Sequence, residues 1–455
     1  MDQSHDDGEA RFDAIVLGAG ISGLVSASVL GQQGLRVLLI DEYDHIGGNH
    51  IAFSINGYTF DVGSLIFQDD SPLLEHFPEL LSRYVAIDPS WGKLSPQGSV
   101  TKYPISVRDD ILAAGPVVWL RIAVSLVTAR LYFRKMCNAR DFARFWMGAY
   151  LMHRTGLDTY MRRFYGTRAE DIDLELARKR MLWIPEHASV LNTLRKLIRP
   201  RRNNSGPTNT QMVRPAEGFQ PLYQLAADRL ASYGVKIVKG VKLQTLSKLG
   251  DHYRLTTDRG NFVAKRTIST IPVNRAVALC GMPHGQVLPT IDLITLYFSF
   301  SGERGFHHQI MYNFSHSGAW KRLTVYSDFY GKAHDREYFA VEVIGGEINN
   351  NIALAEQDFR RHVSANGLFR GDLRLESSQL LTQAYPIYRH GAAGKSEQAI
   401  AALRDFGVES FGRQGGFNYQ STARVSTLEA EAALAKGHID LAHAPLPQGA
   451  HTPHH

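Results

Sequence analysis

Asp13-Ala14-Ile15-Val16-Leu17-Gly18-Ala19-Gly20-Ile21-Ser22-Gly23-Leu24-Val25 is the stretch from which the fold is read. Ala14 to Leu17 is an apolar run of the kind that makes a parallel strand buried on both faces. Gly18-x-Gly20-x-x-Gly23 follows, and then an apolar helical pattern. Gly18 permits the tight turn, Gly20 admits a pyrophosphate against the backbone, and Gly23 lets helix and strand pack closely. The phosphates would meet the free N–H groups at the helix start, where the helix dipole also favours anions. A second strand, Arg36 to Ile40, ends in Asp41, eighteen residues after Gly23, placed to hold ribose hydroxyls. Strand, glycines, helix, strand and acid together point to an adenine dinucleotide.

The next residues select among dinucleotides. Asp41-Glu42-Tyr43-Asp44-His45-Ile46-Gly47-Gly48-Asn49 resembles the segment after the second strand in the FAD superfamily of amine oxidases, protoporphyrinogen oxidase, phytoene desaturase and UDP-galactopyranose mutase. The paired glycines are read as close backbone approach to a bulky second part of the cofactor. The fold class expected is α/β, a Rossmann-like FAD-binding domain with a helical insertion and an antiparallel substrate-binding sheet. In the resembled superfamily Gly63-Ser64-Leu65 passes the flavin ring. The cofactor set expected is therefore Gly18, Gly20, Ile21, Ser22, Gly23, Asp41, Glu42, Gly47, Gly48, Asn49, Gly63, Ser64, Leu65, Val241, Gly412, Arg413, Tyr419, Gln420 and Ser421. No histidine or cysteine stands in an attachment motif, so the FAD is expected to be non-covalent.

The 455 residues suffice for two or three domains. The flavin domain is expected from 12–70, 211–290 and 391–437, a mainly helical insertion from 71–210, the substrate sheet from 291–390, and a disordered tail from 438–455. Asn56-Gly57 reads as a hairpin turn, and Thr295–Phe300, Lys321–Tyr326 and Tyr338–Val343 as sheet strands. A net charge of +6 suits an anionic substrate or surface. Two cysteines, Cys137 and Cys280, exclude a disulfide framework and a cysteine-based zinc site. No metal site is expected, the tail histidines being read as a frayed end, and a reduced cytoplasm is the expected home. The basic run Arg195–Ser205 lacks interleaved aromatics, so no nucleic-acid partner is expected. Ile111 to Phe133 is largely apolar but carries Arg121 and Arg130. It is read as a helix buried in protein, with attachment to an anionic membrane surface the minor reading.

Within the superfamily the chain is most similar to UDP-galactopyranose mutases, through His45–Asn49, Gly63-x-x-Ile66-Phe67, Tyr103-Pro104, Gly218-Phe219, Tyr385-Pro386 and Gly412-Arg413 through Tyr419. That resemblance implies a reduced flavin whose N5 forms an adduct with the sugar's anomeric carbon. The ring then recloses at a different size without net redox change, in the service of cell-surface polysaccharide. It implies Arg322 and Arg180 as diphosphate clamps, Arg413 beside the flavin, and Tyr385 and Tyr419 as phosphate-contacting tyrosines. Arginine suits that task because its planar fork binds phosphate oxygens in pairs. The chain departs from the mutase pattern at Leu65 and Gln68, where that family has histidines, and at Ser421, where it has an acid. An FAD oxidoreductase of the amine oxidase, protoporphyrinogen oxidase or desaturase kind, acting on a hydrophobic or amine substrate, is the alternative.

Overall fold

The computed structural model describes residues 10–63, 66–132, 135–181, 184–185, 209–283, 287–420 and 422–435. Its first sheet grows from the apolar run: strand β1 (Ala10–Leu17) pairs in parallel with β2 (Val37–Asp41) on one side and with Gly260–Ser269 on the other. Ala14 through Leu17 are at most 1% exposed, as a strand covered on both faces must be. Lys236–Lys239 extends the sheet beyond β2. The antiparallel strands Leu243–Leu249 and His252–Thr257 extend it on the far side, and Val408–Ser410 pairs with the end of Gly260–Ser269. Helix α1 (Ile21–Gln32) covers one face together with Gln220–Ser232 and Ala423–Ala435; Val273–Leu279 and Ala392–Phe406 cover the other.

Two glycines fix how β1 meets α1. Gly18 has φ of 98°, open to glycine at little cost. A Cβ on Gly23 would lie 1.8 Å from the Gly18 carbonyl oxygen, so helix and strand approach as closely as backbone allows.

The second sheet has seven strands, in the order Phe369–Pro386, Thr290–Arg304, Glu337–Ile344, Trp320–Val325, Ile310–Asn313, Trp91–Leu94, Val100–Lys102. Its pairs are antiparallel except Ile310–Asn313 with Trp91–Leu94, which is parallel. Within 291–390 the pairs are antiparallel, as expected. Two short strands from the 71–210 segment, Trp91–Leu94 and Val100–Lys102, extend it through the one parallel pairing. The hairpin at Asn56-Gly57 joins Ala52–Ile55 to Tyr58–Asp61, with φ of 52° and 81° at its two turn residues, the pairing a two-residue turn requires.

The helical block comprises Pro116–Tyr132, Ala139–Arg154, Leu157–Tyr165 and Leu174–Arg180. Phe142 and Tyr160 are buried there, as aromatics at helical spacing suggest. The helix at 116–132 overturns the expectation that it is buried. Within it only Ile122 and Ala129 are buried, against the neighbouring helices, while Val117, Leu120, Val124, Val127 and Leu131 face outward. A helix apolar all round needs neighbours on every side to be buried, and this one does not have them. The tail at 438–455 lies outside the described residues.

Candidate functional site

Between the ends of β1 and β2 and the start of α1 the chain leaves a cleft of about 390 Å³, within the usual range for ligand pockets. Gly18, Gly20, Ile21 and Ser22 form its floor. Gly20 caps α1, and no side chain caps the helix end, so its first N–H groups stay available to an anion. Asp41 closes the end of β2. Its carboxylate accepts from the N–H groups of Ala19 (2.5 Å) and Tyr43 (2.8 Å) and lines the cleft. Burial raises its pKa despite those two donors. Glu42 also lines the cleft, but its carboxylate is held by Arg275 at 2.6 Å and by the Leu243 N–H at 3.2 Å.

The glycine pair is explained by protein neighbours. A Cβ on Gly47 would strike the Tyr223 ring at 2.5 Å, and one on Gly48 would come 3.0 Å from the Gly20 Cα. Their φ values of 108° and 61° suit glycine. The Gly47 N–H donates to the Ala19 carbonyl at 2.9 Å, which locks this turn onto the first glycine turn. Gly20 and Gly48 both line the cleft with bare backbone, which leaves room beside them for a thin, extended diphosphate. Asn49 donates to the Ala384 carbonyl, as does Gln414. His50 lines the cleft beside them. Burial, with help from Arg413, drives its pKa down to about 4, so it is neutral at physiological pH.

Gly412 brings the C-terminal turn onto α1: at φ of 87°, a Cβ there would lie 2.7 Å from Ser22 Oγ. Gln420 is buried, accepts from Ser426 Oγ and donates to Glu429. Val241 does not line the cleft. It lies beneath Asp41, its N–H donating to the Asp41 carbonyl at 3.3 Å. Ser64, Leu65 and Ser421 lie outside the described residues, as does the side chain of Arg180, which ends Leu174–Arg180.

Gly63 links the cleft to the second sheet. A Cβ on it would lie 3.3 Å from Arg322 Nη2, and its carbonyl accepts from the Tyr326 hydroxyl at 2.8 Å. Here three of the expected substrate residues meet. The Arg413 guanidinium lies over the Tyr385 ring, 4.6 Å from its centre, and Lys321 Nζ lies 5.1 Å from the same centre. Arg322, next to Lys321 in its strand, bonds Glu342 through Nε at 2.6 Å; Lys321 reaches the other carboxylate oxygen at 2.8 Å. Tyr419 sits against Tyr165 and Tyr388. Tyr103 lies within electrostatic reach of both Tyr419 and Arg322, and shares a 3.1 Å hydroxyl contact with Tyr160.

Although burial pushes the Glu342 carboxyl up, Arg322 and Lys321 outweigh it and hold its pKa below the usual glutamate value. Burial lowers the Tyr phenols' tendency to ionise: Tyr103 and Tyr160 have pKa values raised well above 10, so both remain O–H groups that can donate. Lys321 and Arg322 thus share the Glu342 carboxylate, and Lys321 and Arg413 both lie over the Tyr385 ring. That is an arrangement for binding a multiply charged anion.

Lys321, Glu342, Tyr103, Tyr160 and His50 were not among the expected site residues. Strand alternation around Arg322 could have raised Glu342, but pairing them needs the register. Away from the cleft, His153, Asp158 and His316 hold ligand atoms within 4.8 Å of one another, a grouping no local motif announces.

A model of NAD(P)-binding Rossmann-like domains matches residues 16–80. Prolycopene isomerase from Arabidopsis thaliana is 48% identical over 61 residues, covering 13% of this chain and 10% of that protein. This chain therefore spans about a tenth of the length of the curated relatives it matches. Among solved structures, a reduced UDP-galactopyranose mutase aligns with TM-score 0.76 at 17% identity, covering 93% of each chain. A protoporphyrinogen oxidase-like protein from Exiguobacterium sp. 255-15 aligns with TM-score 0.68 at 16% identity, covering 94% of this chain and 98% of that one. At such identities the likeness is one of fold.

Proposed function

We propose that this chain, which has the fold of the FAD-dependent amine oxidase superfamily, is a mutase-like flavoenzyme acting on an anionic nucleotide sugar. The coarser reading, an FAD-dependent enzyme of the oxidoreductase or isomerase kind, has the support of the relatives and structural neighbours together. Non-covalent FAD fits the cleft: an uncapped helix start for the pyrophosphate, Asp41 for the ribose, and Gly20 and Gly48 bare of side chains. When bound, FAD supplies an electron-carrying ring, nucleophilic at N5 in its reduced form.

The observation that carries the finer reading is the cluster of Lys321, Arg322 and Arg413 around Tyr385, with Arg322 against Gly63. Arg322 would grip the diphosphate, Arg413 would lie beside the flavin, and Tyr385 offers its ring face to Arg413 and Lys321. Tyr103, Tyr160 and Tyr419 would donate to sugar or phosphate oxygens. Binding and orientation are the work asked of the protein. A hydrocarbon substrate would gain nothing from these cations.

The oxidoreductase reading draws on one feature, the Glu342 carboxylate, which partly neutralises Arg322 and Lys321 before any substrate arrives. Dithionite-reduced protein given UDP- and GDP-hexopyranoses separates the two. The mutase reading expects a furanose product by anion-exchange chromatography from reduced but not oxidised protein. Turnover that needs oxidised flavin and consumes oxygen or an acceptor overturns it in favour of the oxidoreductase.

A further inference from the structure

Helix Pro116–Tyr132 presents a continuous apolar row to solvent. Val117, Leu120, Val124, Val127 and Leu131 are 64%, 66%, 55%, 62% and 62% exposed, and Ile122 and Ala129, on the opposite side, are buried. The row's spacing of three and four residues keeps it on one face over about 20 Å of helix. Arg121 and Arg130 flank it, roughly 80° to one side and 100° to the other at 3.6 residues per turn. Arg121 extends over the Tyr150 ring, and Arg130 over Phe145 and Trp146, rings of the neighbouring helix Ala139–Arg154, so both guanidiniums are fixed on the flanks of the helix while remaining exposed. From 111 to 140 the chain carries Arg121, Arg130, Arg134, Lys135 and Arg140 and no aspartate or glutamate.

We propose that this face is a docking surface for an anionic lipid bilayer, on which the helix lies in the plane of the headgroups. Apolar residues below, cations at the rim and an exposed indole at Trp119 are what an interfacial helix requires. Among the described residues no single helix is long and apolar enough to cross a bilayer, the turn of 110° between Val107–Ala114 and Pro116–Tyr132 breaks the longer apolar stretch, and Ile122 and Ala129 keep one side of this helix on protein. A second copy of the chain is the competing occupant, because the row has the spacing of a coiled-coil seam. Self-pairing would line that seam with the arginines of both copies and no carboxylate from either segment, where like charges oppose association. Lipid phosphates and carboxylates answer the same cations favourably. This inference is independent of the reading of the flavin site.

The test is vesicle co-sedimentation of the full, flavin-loaded chain with phosphatidylcholine vesicles and with vesicles of phosphatidylcholine and phosphatidylserine at about three to one. Wild type is expected to sediment at least tenfold more with the anionic vesicles, less so at high salt, with a blue shift of tryptophan emission that Trp119→Phe diminishes. Leu120→Glu with Val127→Glu, and separately Arg121→Glu with Arg130→Glu, should each abolish sedimentation while the flavin absorbance stays unchanged. The exposed positions make misfolding of the variants visible by that absorbance. Equal sedimentation of wild type with both vesicle types, or none with either, overturns the proposal. So does a wild-type dimer in sedimentation velocity that Leu120→Glu with Val127→Glu dissociates and anionic vesicles leave intact.

Discussion

Arg322 and Glu342 face each other across neighbouring antiparallel strands, and the guanidinium closes on the carboxylate through Nε at 2.6 Å. Lys321, the residue before, takes the other oxygen. One carboxylate therefore holds two cations beside Gly63, in a place where all three side chains are largely withdrawn from water.

Removing that carboxylate should cost stability and raise the response to anions. Glu342→Gln leaves Lys321 and Arg322 buried without their partner, a loss of about 3–5 kcal/mol. A nucleoside diphosphate sugar should return part of it. The expected result in differential scanning fluorimetry is a lower melting temperature without ligand and a larger ligand-induced rise than in wild type. An unchanged melting temperature, or a smaller rise, would count against the cluster as an anion site.

The two arginines should separate by their effects. Arg322→Ala removes a charge-assisted contact worth about 1.5–3 kcal/mol. Affinity for a nucleotide sugar should then fall about ten- to a hundredfold by calorimetry, with the flavin spectrum intact. Lysine at this position should rescue only in part, lacking the bidentate fork. Arg413 lines the cleft itself, so Arg413→Ala should perturb the flavin absorbance. Identical behaviour of the two variants would refute this division.

Gly20 and Gly23 are also expected to differ. The nearest atom to a Cβ on Gly20 is the Gly48 Cα at 3.7 Å, an ordinary contact, and its φ of −75° suits any residue. Gly20→Val should therefore fold, with normal circular dichroism, yet purify colourless because the side chain fills the pyrophosphate's place. Gly23→Ala has no such room at 1.8 Å from the Gly18 oxygen and should lose folded yield. A yellow Gly20→Val protein would sink the assignment of the cleft.

The glycine turn was legible because its signals are local: Gly18, Gly20, Gly23 and Asp41 lie within one strand–helix–strand unit. The charged cluster that Arg413 joins to the cleft is built from Lys321, Arg322, Glu342, Tyr385 and Arg413, which register and chain return bring together across up to 92 residues. Resemblance to a family supplied Arg322, Tyr385 and Arg413. It did not supply Glu342 or Lys321, which only the pairing of two strands reveals. Helix 116–132 was misread for a different reason. Apolar content says that a face wants cover but not whether the same chain provides it.

His362 should give stability a pH dependence. Burial, with Arg163 nearby, lowers its pKa from 6.5 to about 4, and its Nδ1 accepts the Trp320 indole N–H at 2.8 Å. Above pH 6.5 both folded and unfolded chains carry it neutral. Below 6.5 the unfolded chain takes up a proton that the folded one refuses, so stability falls until about pH 4, by roughly 3 kcal/mol in all. His362→Gln removes that titration. Urea midpoints at pH 7.5 and 5 should differ less in the variant than in wild type, and an equal difference would overturn the assignment.

Asp61 and Arg214 make a buried pair whose loss should itself depend on pH. The Arg214 guanidinium bonds the Asp61 carboxylate through Nε, and it also donates to the carbonyls of Pro215, Ala216 and Thr59 at 2.7, 3.0 and 3.0 Å. It thereby ties the strand at 58–61 to the turn that leads into Gln220–Ser232. Burial raises the Asp61 pKa to about 6 even though Arg214 opposes it. Arg214→Met removes the opposition and strands a buried carboxylate, at about 3–5 kcal/mol. A carboxyl whose pKa rises on folding contributes stability at low pH and loses it as pH rises through the folded value. The variant should therefore be most destabilised near pH 8 and partly recover near pH 5.5, where Asp61 takes up a proton and becomes neutral. Adding Asp61→Asn should remove that recovery, since the amide carries no titratable charge. Chemical denaturation of the three proteins at both pH values decides the matter. A single mutant whose destabilisation is the same at pH 8 and 5.5 would show that the cost lies in the lost carbonyl contacts and not in the stranded charge.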